Sequence, residues 1–335
     1  MKSALLRASW IAKATAGLVA ICVALVLSLS PVSAATAAYP NKTVRLVVAF
    51  GAGGITDIIA RAIGQKLTER LGQTFFIDNR PGAGGALGAG IVSSSEPDGY
   101  TLLVTTAGIA IRAVAQEGAI NPHTQLMPVA TPASTPSIWV VHNSVSLKEQ
   151  NMREYLWSRK DQTFTYGSPG VGTLEHLTSE YLFRAIPGLK SIHVPFQGGA
   201  AASSAVLGQQ VDITTTAMPT AAALISDGKL RVSAVGSLER MAQLPDAPTL
   251  SQAGFPDFES ASWIGIFGPP KMPAAIAEKL NAAVAEALKE ADLRERLTAL
   301  GFTSHRRSQA ETAAYMAIEL DRWRKVTTTI GYQLK

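Results

Sequence analysis

A glycine-rich turn between an apolar segment and an amphipathic one, near the start of the chain, constrains the fold most. Residues 44–50 are apolar or β-branched except for Arg45, a pattern typical of a strand buried on both faces of a parallel sheet. The turn Gly51-Ala52-Gly53-Gly54 follows directly. Apolar residues then recur every four positions across 59–67 and predict a helix that Gly72 ends. This order of strand, tight turn and helix indicates an α/β fold.

The alternation continues along most of the chain. Apolar, β-branched runs predict further strands at 75–78, 100–106, 138–141, 164–166, 192–196, 212–215, 231–235 and 263–267. A helix is predicted at 174–185, between two of these strands. The length of 335 residues suggests two domains, each large enough to bury a core. We therefore expect two lobes, each a doubly wound sheet flanked by helices, with lobe 1 formed by 38–141 and 262–335 and lobe 2 by 142–261.

The C-terminal part of the chain is predicted to be helical. Pro273 stands at the start of one helix, where a missing N–H is tolerated, and a second, short helix ends at Gly301. Ser308 and Glu311 have the spacing of a capping box in front of the last helix. In that last helix we expect three large side chains to pack in the core: Tyr315, Ile318 and Trp323.

The N-terminus has the layout of a secretory signal peptide. Three basic residues, Lys2, Arg7 and Lys13, precede an apolar run at 14–29, and Ala35-Thr36-Ala37 offers a small-x-small cleavage site. We expect residues 1–37 to be removed near Ala37 and the rest to be released into the periplasm; an uncleaved anchor is the alternative, although the run is shorter than the ~20 residues that a bilayer needs. Processing would remove the single cysteine, Cys22, and lower the formal charge by three, from +5 to +2. The charge of the processed chain therefore gives no support to a nucleic-acid-binding function.

Two glycine-rich turns are candidate anion sites. The first is Phe50 to Asp57, and the second is Tyr166 to Thr173, which again lies between a strand and a helix. Free N–H groups and the positive end of a helix dipole favour an anion at such turns. One turn in each lobe would suit a ligand that carries carboxylates, clamped in the cleft between them. Alternatively, the glycines serve only tight packing, and Thr56 or Asp57 caps the first helix.

Other chemistries fit the residues less well. A dinucleotide site would need a third glycine where Thr56 stands, and no Gly-Lys-Ser or Gly-Lys-Thr follows the turn. Ser168 lacks the first glycine of a nucleophile elbow, since Tyr166 stands there, and the spacing assigns it no histidine partner. The five histidines show no metal-ligand spacing. We therefore expect no catalytic residue, no metal and no cofactor.

Several motifs together resemble one family. They are Phe50 to Asp57, Asn79-Arg80-Pro81-Gly82-Ala83-Gly84-Gly85, Pro97-Asp98-Gly99-Tyr100, Gly170-Val171-Gly172-Thr173, Gly208-Gln209-Gln210-Val211-Asp212, Leu244-Pro245-Asp246-Ala247-Pro248-Thr249 and Ala261-Ser262-Trp263. The chain from residue 38 onwards is similar over its length to the Bug family, the periplasmic solute receptors of tripartite tricarboxylate transporters. This resemblance implies a two-lobed, hinge-closing periplasmic-binding-protein (Venus flytrap) fold that holds a small organic carboxylate in the interlobe cleft.

The resemblance also implies which residues bind the ligand. One carboxylate would lie on the first loop and its neighbours: Phe50, Gly51, Ala52, Gly53, Gly54, Thr56, Asp57, Thr106, Ala107 and Gly108. The distal end would meet the second lobe: Ser168, Pro169, Gly170, Gly172, Thr173, Phe196, Gln197, Gly198, Gly199, Thr215, Thr216 and Met218.

Two departures from the family pattern bear on the ligand. Ala52 stands where the family usually has proline, and Thr215-Thr216 stands where it often has Phe-Asp. Because an ammonium group would need a nearby carboxylate, the absence of an acid at Thr216 argues against amino-acid ligands. A dicarboxylate, a tricarboxylate or an aromatic carboxylate such as terephthalate fits better. Phe50 and Phe196 could flank a flat ring, or they could simply pack between the lobes.

The leading hypothesis is therefore a monomeric, non-enzymatic receptor. It would close on its ligand and deliver it to the integral-membrane subunits of the transporter. A periplasmic sensor subunit for a membrane kinase is the first alternative. An enzyme acting on a carboxylated substrate is the second, although no paired acid and base supports it.

Overall fold

Ten strands form the centre of the described part of the molecule. The computed structural model describes residues 39–146, 151–256, 258–329 and 331–333, so the expected signal peptide, 1–37, lies outside the described residues. All elements below belong to one unit, Lys42–Lys335; of the other unit, Met1–Asn41, residues 39–41 are described and contain no helix or strand. The strands are β1 (Val44–Val48), β2 (Phe75–Asn79), β3 (Thr101–Thr106), β4 (Met127–His142), β5 (Thr163–Ser168), β6 (Lys190–Pro195), β7 (Ile213–Ala217), β8 (Leu230–Val235), β9 (Ala261–Gly268) and β10 (Thr303–Ser304).

Helices cover the sheet between these strands. In chain order they are α1 (Ile55–Leu71), α2 (Ala86–Ser93), α3 (Gly108–Ala115), α4 (Met152–Ser158), α5 (Leu174–Arg184), α6 (Gly199–Leu207), α7 (Met218–Ser226), α8 (Ala274–Ala287), α9 (Ala291–Ala299) and α10 (Gln309–Thr329). A 3₁₀ turn at Ala83–Gly85 precedes α2. Within the described ranges, no helix combines the length and the apolar character that crossing a membrane requires.

Strand β4 joins two halves of the sheet, whose strand order is β2-β1-β3-β9-β4-β7-β5-β6, with β10 and β8 also paired to β4. From Met127 to Pro136 it pairs with β9, and from Ser137 onwards it pairs with β7 and β8. We call β1, β2, β3, β9, β10 and the first part of β4 the first half-sheet, and β5, β6, β7, β8 and the second part of β4 the second half-sheet. In each half, three strands are parallel: β2-β1-β3 and β6-β5-β7.

Each half-sheet has its own buried cluster. Trp263 and Phe267 lie in the cluster of the first half-sheet, together with Leu320 of α10. Trp139 and Phe164 lie in a cluster of the second half-sheet. Both tryptophan rings are almost completely buried, at 2% and 0% exposure, and burying each one stabilises the fold by roughly 2–3 kcal/mol. The core is therefore divided between the two halves of the sheet.

Three residues join the half-sheets at the point where the chain passes between them. Ser137 N–H donates to Ser260 O at 2.8 Å, Gly236 N–H to Ser137 O at 2.7 Å, and Ser260 N–H to Gly236 O at 2.8 Å. The hydroxyls of Ser137 and Ser260 are also 2.8 Å apart. A Cβ on Gly236 would lie 2.4 Å from Ser260 O, so a larger residue would separate these segments. We call Ser137, Gly236 and Ser260 the crossing cluster.

Local sequence patterns predicted several elements well. Ile59, Ile63 and Leu67 are buried on α1, and Gly72 ends that helix with a left-handed φ of 69°. The capping box before α10 is present, since Glu311 N–H donates to Ser308 Oγ at 3.2 Å and Ser308 N–H donates to a Glu311 carboxylate oxygen at 2.7 Å. These parts of the prediction are confirmed.

Other expectations need correction. Ile318 is 62% exposed, because the buried face of α10 carries Met316, Leu320 and Trp323 instead. The fourth strand is much longer than the predicted 138–141, since β4 begins at Met127. Helices α3, α4, α6 and α7 were not predicted. The lobe boundaries stay a prediction, although the change of partner in β4 falls between Pro136 and Ser137.

Candidate functional site

The carboxyl ends of the parallel strands in both half-sheets converge on one cavity. Loops after β1 and β3 form one wall, and loops after β5, β6 and β7 form the other. The carboxyl ends of strands are the usual binding edge of an open α/β sheet. The lining residues are Phe50, Gly54, Ile55, Thr56, Thr106, Pro169, Thr173, Glu175, Gly198, Gly199, Thr216, Ala217 and Thr220.

The cavity is small as it stands. Its volume is about 20 Å³, which leaves room for about one water molecule. A dicarboxylate is several times larger than water. The two walls must therefore separate, or their side chains must rearrange, before such a molecule can enter.

The first glycine turn is held in place by Asp57. Its carboxylate accepts the N–H of Gly53 at 3.0 Å, the Nε–H of Arg61 at 2.9 Å and the amide of Asn79 at 3.0 Å. Burial alone would raise the pKa of Asp57, but these donors, together with the charge of Arg61, hold the pKa below its ordinary value. Asn79 also donates to Phe50 O at 3.1 Å. Asp57 is therefore an ionised anchor that fixes the turn.

Helix N-termini supply the positive end of this cavity. Helix α1 starts at Ile55 after Gly54, which provides no side-chain cap, and α6 starts at Gly199 after Gly198, which also provides none. Helices α5 and α7 begin at the same cavity, at Leu174 and at Met218. A helix N-terminus carries about half a positive charge and N–H groups without intrahelical partners, although at α5 the side chain of Thr173 accepts the His176 N–H. None of the described lining residues is Lys, Arg or His, so among the lining groups the positive potential comes from these helix N-termini.

Glu175 is a lining residue that the sequence analysis missed. It lies in the first turn of α5, is 4% exposed, and burial raises its pKa to about 7 against opposing hydrogen bonds from its own N–H and from Thr173. An acid at the start of a helix is ordinarily read as a favourable partner of the helix dipole. Its burial at a cavity lined by residues of both half-sheets depends on contacts distant in sequence, and no local pattern reveals them.

Ser168 has a histidine partner that the spacing did not reveal. Its Oγ lies 2.7 Å from His193 Nε2, twenty-five residues away on β6, and it is completely buried. His193 stacks on His176 with ring centres 3.9 Å apart, and burial lowers the pKa values of His193 and His176 to about 3 and about 4. Both rings are therefore neutral at neutral pH. Among the described contacts, no carboxylate orients His193 as a catalytic base would require.

Contacts across the cavity rim join the two half-sheets. Gly51 N–H donates to Gln197 O at 2.9 Å, and the guanidinium of Arg112 donates to Val171 O at 2.7 Å. Gly84 lies so close to the second half-sheet that a Cβ there would be 2.0 Å from Val171 O. The arrangement described is therefore one in which the two walls touch.

The structure brings many of the predicted residues to the cavity and leaves others beside it. The predicted residues that line it are Phe50, Gly54, Thr56, Thr106, Pro169, Thr173, Gly198, Gly199 and Thr216. The others do not line it: Gly51, Ala52, Gly53, Asp57, Ala107, Gly108, Ser168, Gly170, Gly172, Phe196, Gln197, Thr215 and Met218.

Several of these other residues have identifiable partners. The Thr215 hydroxyl is bonded to Ser179, and a Cβ on Gly301 would meet Met218 Sδ at 3.4 Å. Phe196 packs over Gly167, where a Cβ would meet its ring at 3.2 Å. Their assignment to the ligand stays a prediction, as does that of the lining residues. In the described part of the chain, no three His, Cys, Asp or Glu side chains are grouped so that they could hold a metal ion.

Comparison with known proteins identifies the family. Residues 59–332 match the family described as "Tripartite tricarboxylate transporter family receptor". The structure is similar to that of the periplasmic binding protein BugD, with a TM-score of 0.83 and 28% identity over 89% of this chain and all of that one.

Two similar structures contain ligands. MatC from Rhodopseudomonas palustris, with bound malate, has a TM-score of 0.79 and 33% identity over 86% of this chain and 99% of its own. Rpa4515 from the same organism, with adipate, has a TM-score of 0.81 and 31% identity over 88% of this chain and all of its own. The resemblance and the fold class predicted from sequence are confirmed: the chain belongs to the Bug family of tripartite tricarboxylate transporter receptors, which are two-lobed α/β periplasmic binding proteins.

Proposed function

We propose that this protein captures a small organic carboxylate, a dicarboxylate in the first instance, in the cavity between its two half-sheets. The observation that carries this proposal is the convergence of four helix N-termini, α1, α5, α6 and α7, on a cavity whose described lining contains no basic side chain. N–H groups and helix dipoles bind carboxylates without the strong desolvation cost of a buried lysine. The malate and adipate held by the similar structures support the same ligand class.

Binding is coupled to closure of the two half-sheets about the crossing cluster. The open form admits the ligand, and the closed form holds it between the loop after β1 and the loops after β5, β6 and β7. A ligand that touches both walls favours the closed form by the contacts that it makes only there. The rim contacts Gly51–Gln197 and Arg112–Val171 belong to the closed form and reinforce it.

The closed form then delivers its ligand to the integral-membrane subunits of a tripartite tricarboxylate-type transporter. The protein reaches the periplasm through the signal peptide at 1–37 and acts there as a monomer. It does not transform its ligand: Ser168 is completely buried, and its partner His193 is a neutral ring that stacks on His176.

A thermal-shift panel on the exported protein, purified from a periplasmic extract, tests this function. The panel contains malate, adipate, citrate, terephthalate, glutamate and the uncharged diamide of adipic acid. A ligand that binds only the folded state raises the melting temperature. We expect a rise with at least one dicarboxylate and none with the diamide. Equal shifts with acid and diamide, or conversion of the acid to a product, would contradict the proposal.

A further inference from the structure

The cavity that we assign to the ligand contains one buried acid, Glu175. Among the described residues that line it, the others are glycine, threonine, proline, alanine, isoleucine and phenylalanine, so Glu175 is the one ionisable side chain. It is 96% buried, as its exposure of 4% shows, and it lies next to the N-cap of α5, Thr173. A carboxyl group thus faces the same space as the proposed carboxylate ligand.

The ionisable groups on the surrounding elements have other partners. On α1, Asp57 is paired with Arg61, and on α3 the guanidinium of Arg112 donates to Val171 O and to Gln116. On α5 itself, His176 stacks on His193 of β6.

Two further elements carry ionisable groups with partners of their own. On β5, Tyr166 donates its hydroxyl proton to Glu180 at 2.5 Å. After α10, the Tyr332 hydroxyl lies 3.4 Å from the ring of His176. Strand β7 contributes Thr216 and Ala217 to this wall, and α7 contributes Thr220; none of the three is ionisable. No cation among the described groups is therefore paired with Glu175.

The protonation state of Glu175 decides how it meets an anion. As a carboxylate it would repel a ligand carboxylate in a site from which water is largely excluded. As a neutral carboxylic acid it has one O–H donor, which can form a short hydrogen bond to a ligand carboxylate oxygen. Burial without a cationic partner favours the neutral form, and it raises the pKa of Glu175 to about 7.

We propose that Glu175 is a specificity-determining residue that binds one carboxylate of the ligand as a neutral carboxylic acid, so that each bound dicarboxylate is accompanied by one proton on Glu175. This inference rests on the proposed function, because it concerns the same cavity and ligand class. The proton comes from solvent whenever Glu175 is ionised in the free receptor, and it is released again with the ligand. The site therefore selects ligands that present a hydrogen-bond acceptor at this wall.

Calorimetric titration of the full, exported protein with malate and adipate tests the proposal. The titrations are run at pH 6, 7 and 8, each in two buffers with different ionisation enthalpies. For a group that titrates near pH 7, we expect dicarboxylate affinity to fall about tenfold between pH 6 and pH 8. Proton uptake should be close to zero at pH 6 and should approach one proton per ligand at pH 8.

Two variants sharpen the test. Glu175→Gln keeps the shape and a donor but cannot titrate, so its affinity should be independent of pH across this range and its proton uptake should vanish. Glu96→Gln, an exposed site away from the cavity, is the matched control and should behave as the natural protein does. Because proton uptake is measured on the unaltered protein, the test does not depend on the folding of Glu175→Gln.

The outcomes separate this inference from the proposed function. Dicarboxylate binding with no proton uptake and no pH dependence would overturn the role of Glu175 and leave the receptor function standing. If glutamate binds without proton uptake and this binding is lost in Glu175→Gln, an ionised Glu175 pairs with the ammonium group of the ligand. That result would also overturn the proposal. Absence of carboxylate binding at every pH would instead refute the receptor function.

Discussion

Replacing Gly51 by alanine should hold the two half-sheets apart without disturbing either one. The Gly51 N–H donates to Gln197 O at 2.9 Å across the rim, and a Cβ on Gly51 would lie 2.7 Å from the same oxygen. That oxygen belongs to the backbone and cannot rotate away as a flexible side chain could. Gly51 is not among the glycines with positive φ, so alanine brings no backbone strain of its own.

The size of the effect follows from these contacts. The walls must separate by roughly half an ångström at the rim before Cβ and oxygen reach an ordinary van der Waals distance. Loss of the hydrogen bond costs about 1 kcal/mol, and the steric misfit costs about 1–3 kcal/mol. Closure is therefore disfavoured by roughly 2–4 kcal/mol. Because every 1.4 kcal/mol changes a dissociation constant tenfold, carboxylate affinity should weaken roughly 30-fold to several hundred-fold.

The assay is calorimetric titration of Gly51→Ala with the carboxylate that stabilises the natural protein most, alongside thermal unfolding without ligand. The melting temperature of the free variant should stay within a few degrees of the natural value, since the contact exists only between the closed walls. Gly90→Ala is the matched control: it adds the same methyl group on α2, where the methyl would meet no described atom beyond its own stretch of helix within 4 Å, and it should bind normally. Natural affinity in Gly51→Ala would refute the closure argument.

Three further variants test other parts of the structure. Arg112→Gln removes the guanidinium that donates to Val171 O at 2.7 Å and should weaken carboxylate binding roughly tenfold to hundredfold in calorimetry. Unchanged affinity would show that this contact does not stabilise the closed form. Without ligand, the native pKa of Glu175, about 7, exceeds the ordinary 4.5, so the native state binds the proton more tightly and the natural protein loses stability as this group is deprotonated. Glu175→Gln cannot lose stability in this way. Between pH 4.5 and pH 7, its free energy of unfolding in urea should therefore rise by up to about 3 kcal/mol relative to that of the natural protein. A pH-independent difference would contradict that sign. Glu319→Ala should lower the free energy of unfolding in urea by about 2–5 kcal/mol, because it leaves the buried indole N–H groups of Trp263 and Trp323 without their acceptor. Glu319→Gln keeps an oxygen there and should lower it less. Equal losses in the two variants would contradict this reason.

Local sequence patterns were sufficient for the elements that local chemistry specifies. In one short segment, an apolar strand is followed by the glycine turn Gly51 to Gly54 and then by the apolar residues that recur every four positions on α1. The motifs around these elements also carried the family resemblance. The fold class and the general position of the cavity could therefore be predicted without coordinates.

Strand β4 shows why some elements could not be predicted. It contains Pro128, Pro132 and Pro136, and proline in a run normally argues against a strand. The structure accommodates this region with register shifts between Pro128 and Ala130 and between Ala130 and Ala133. Strand β9, which the apolar run at 263–267 did predict, and the short strand β10 pair with β4 from distant parts of the sequence, and neither pairing is visible in a local window.

The site itself divides in the same way. The lining glycines and all the lining threonines except Thr220 could be named from motifs and the family resemblance, whereas Glu175 and the Ser168–His193 pair depend on contacts between separate elements. Ile318 illustrates the opposite error, because an apolar residue on an amphipathic helix is not always on its buried face. Burial of a polar group and the rotation of a helix are properties of the assembled fold.

The most direct test of the central claim is small-angle X-ray scattering of the exported protein, with and without a saturating dicarboxylate chosen from the thermal-shift panel. We expect the radius of gyration to decrease when the natural protein binds its ligand, because the ligand draws the two half-sheets together. In Gly51→Ala, at ligand saturation, the decrease should be smaller. A bound ligand that leaves the scattering curve of the natural protein unchanged would contradict the account of binding by closure.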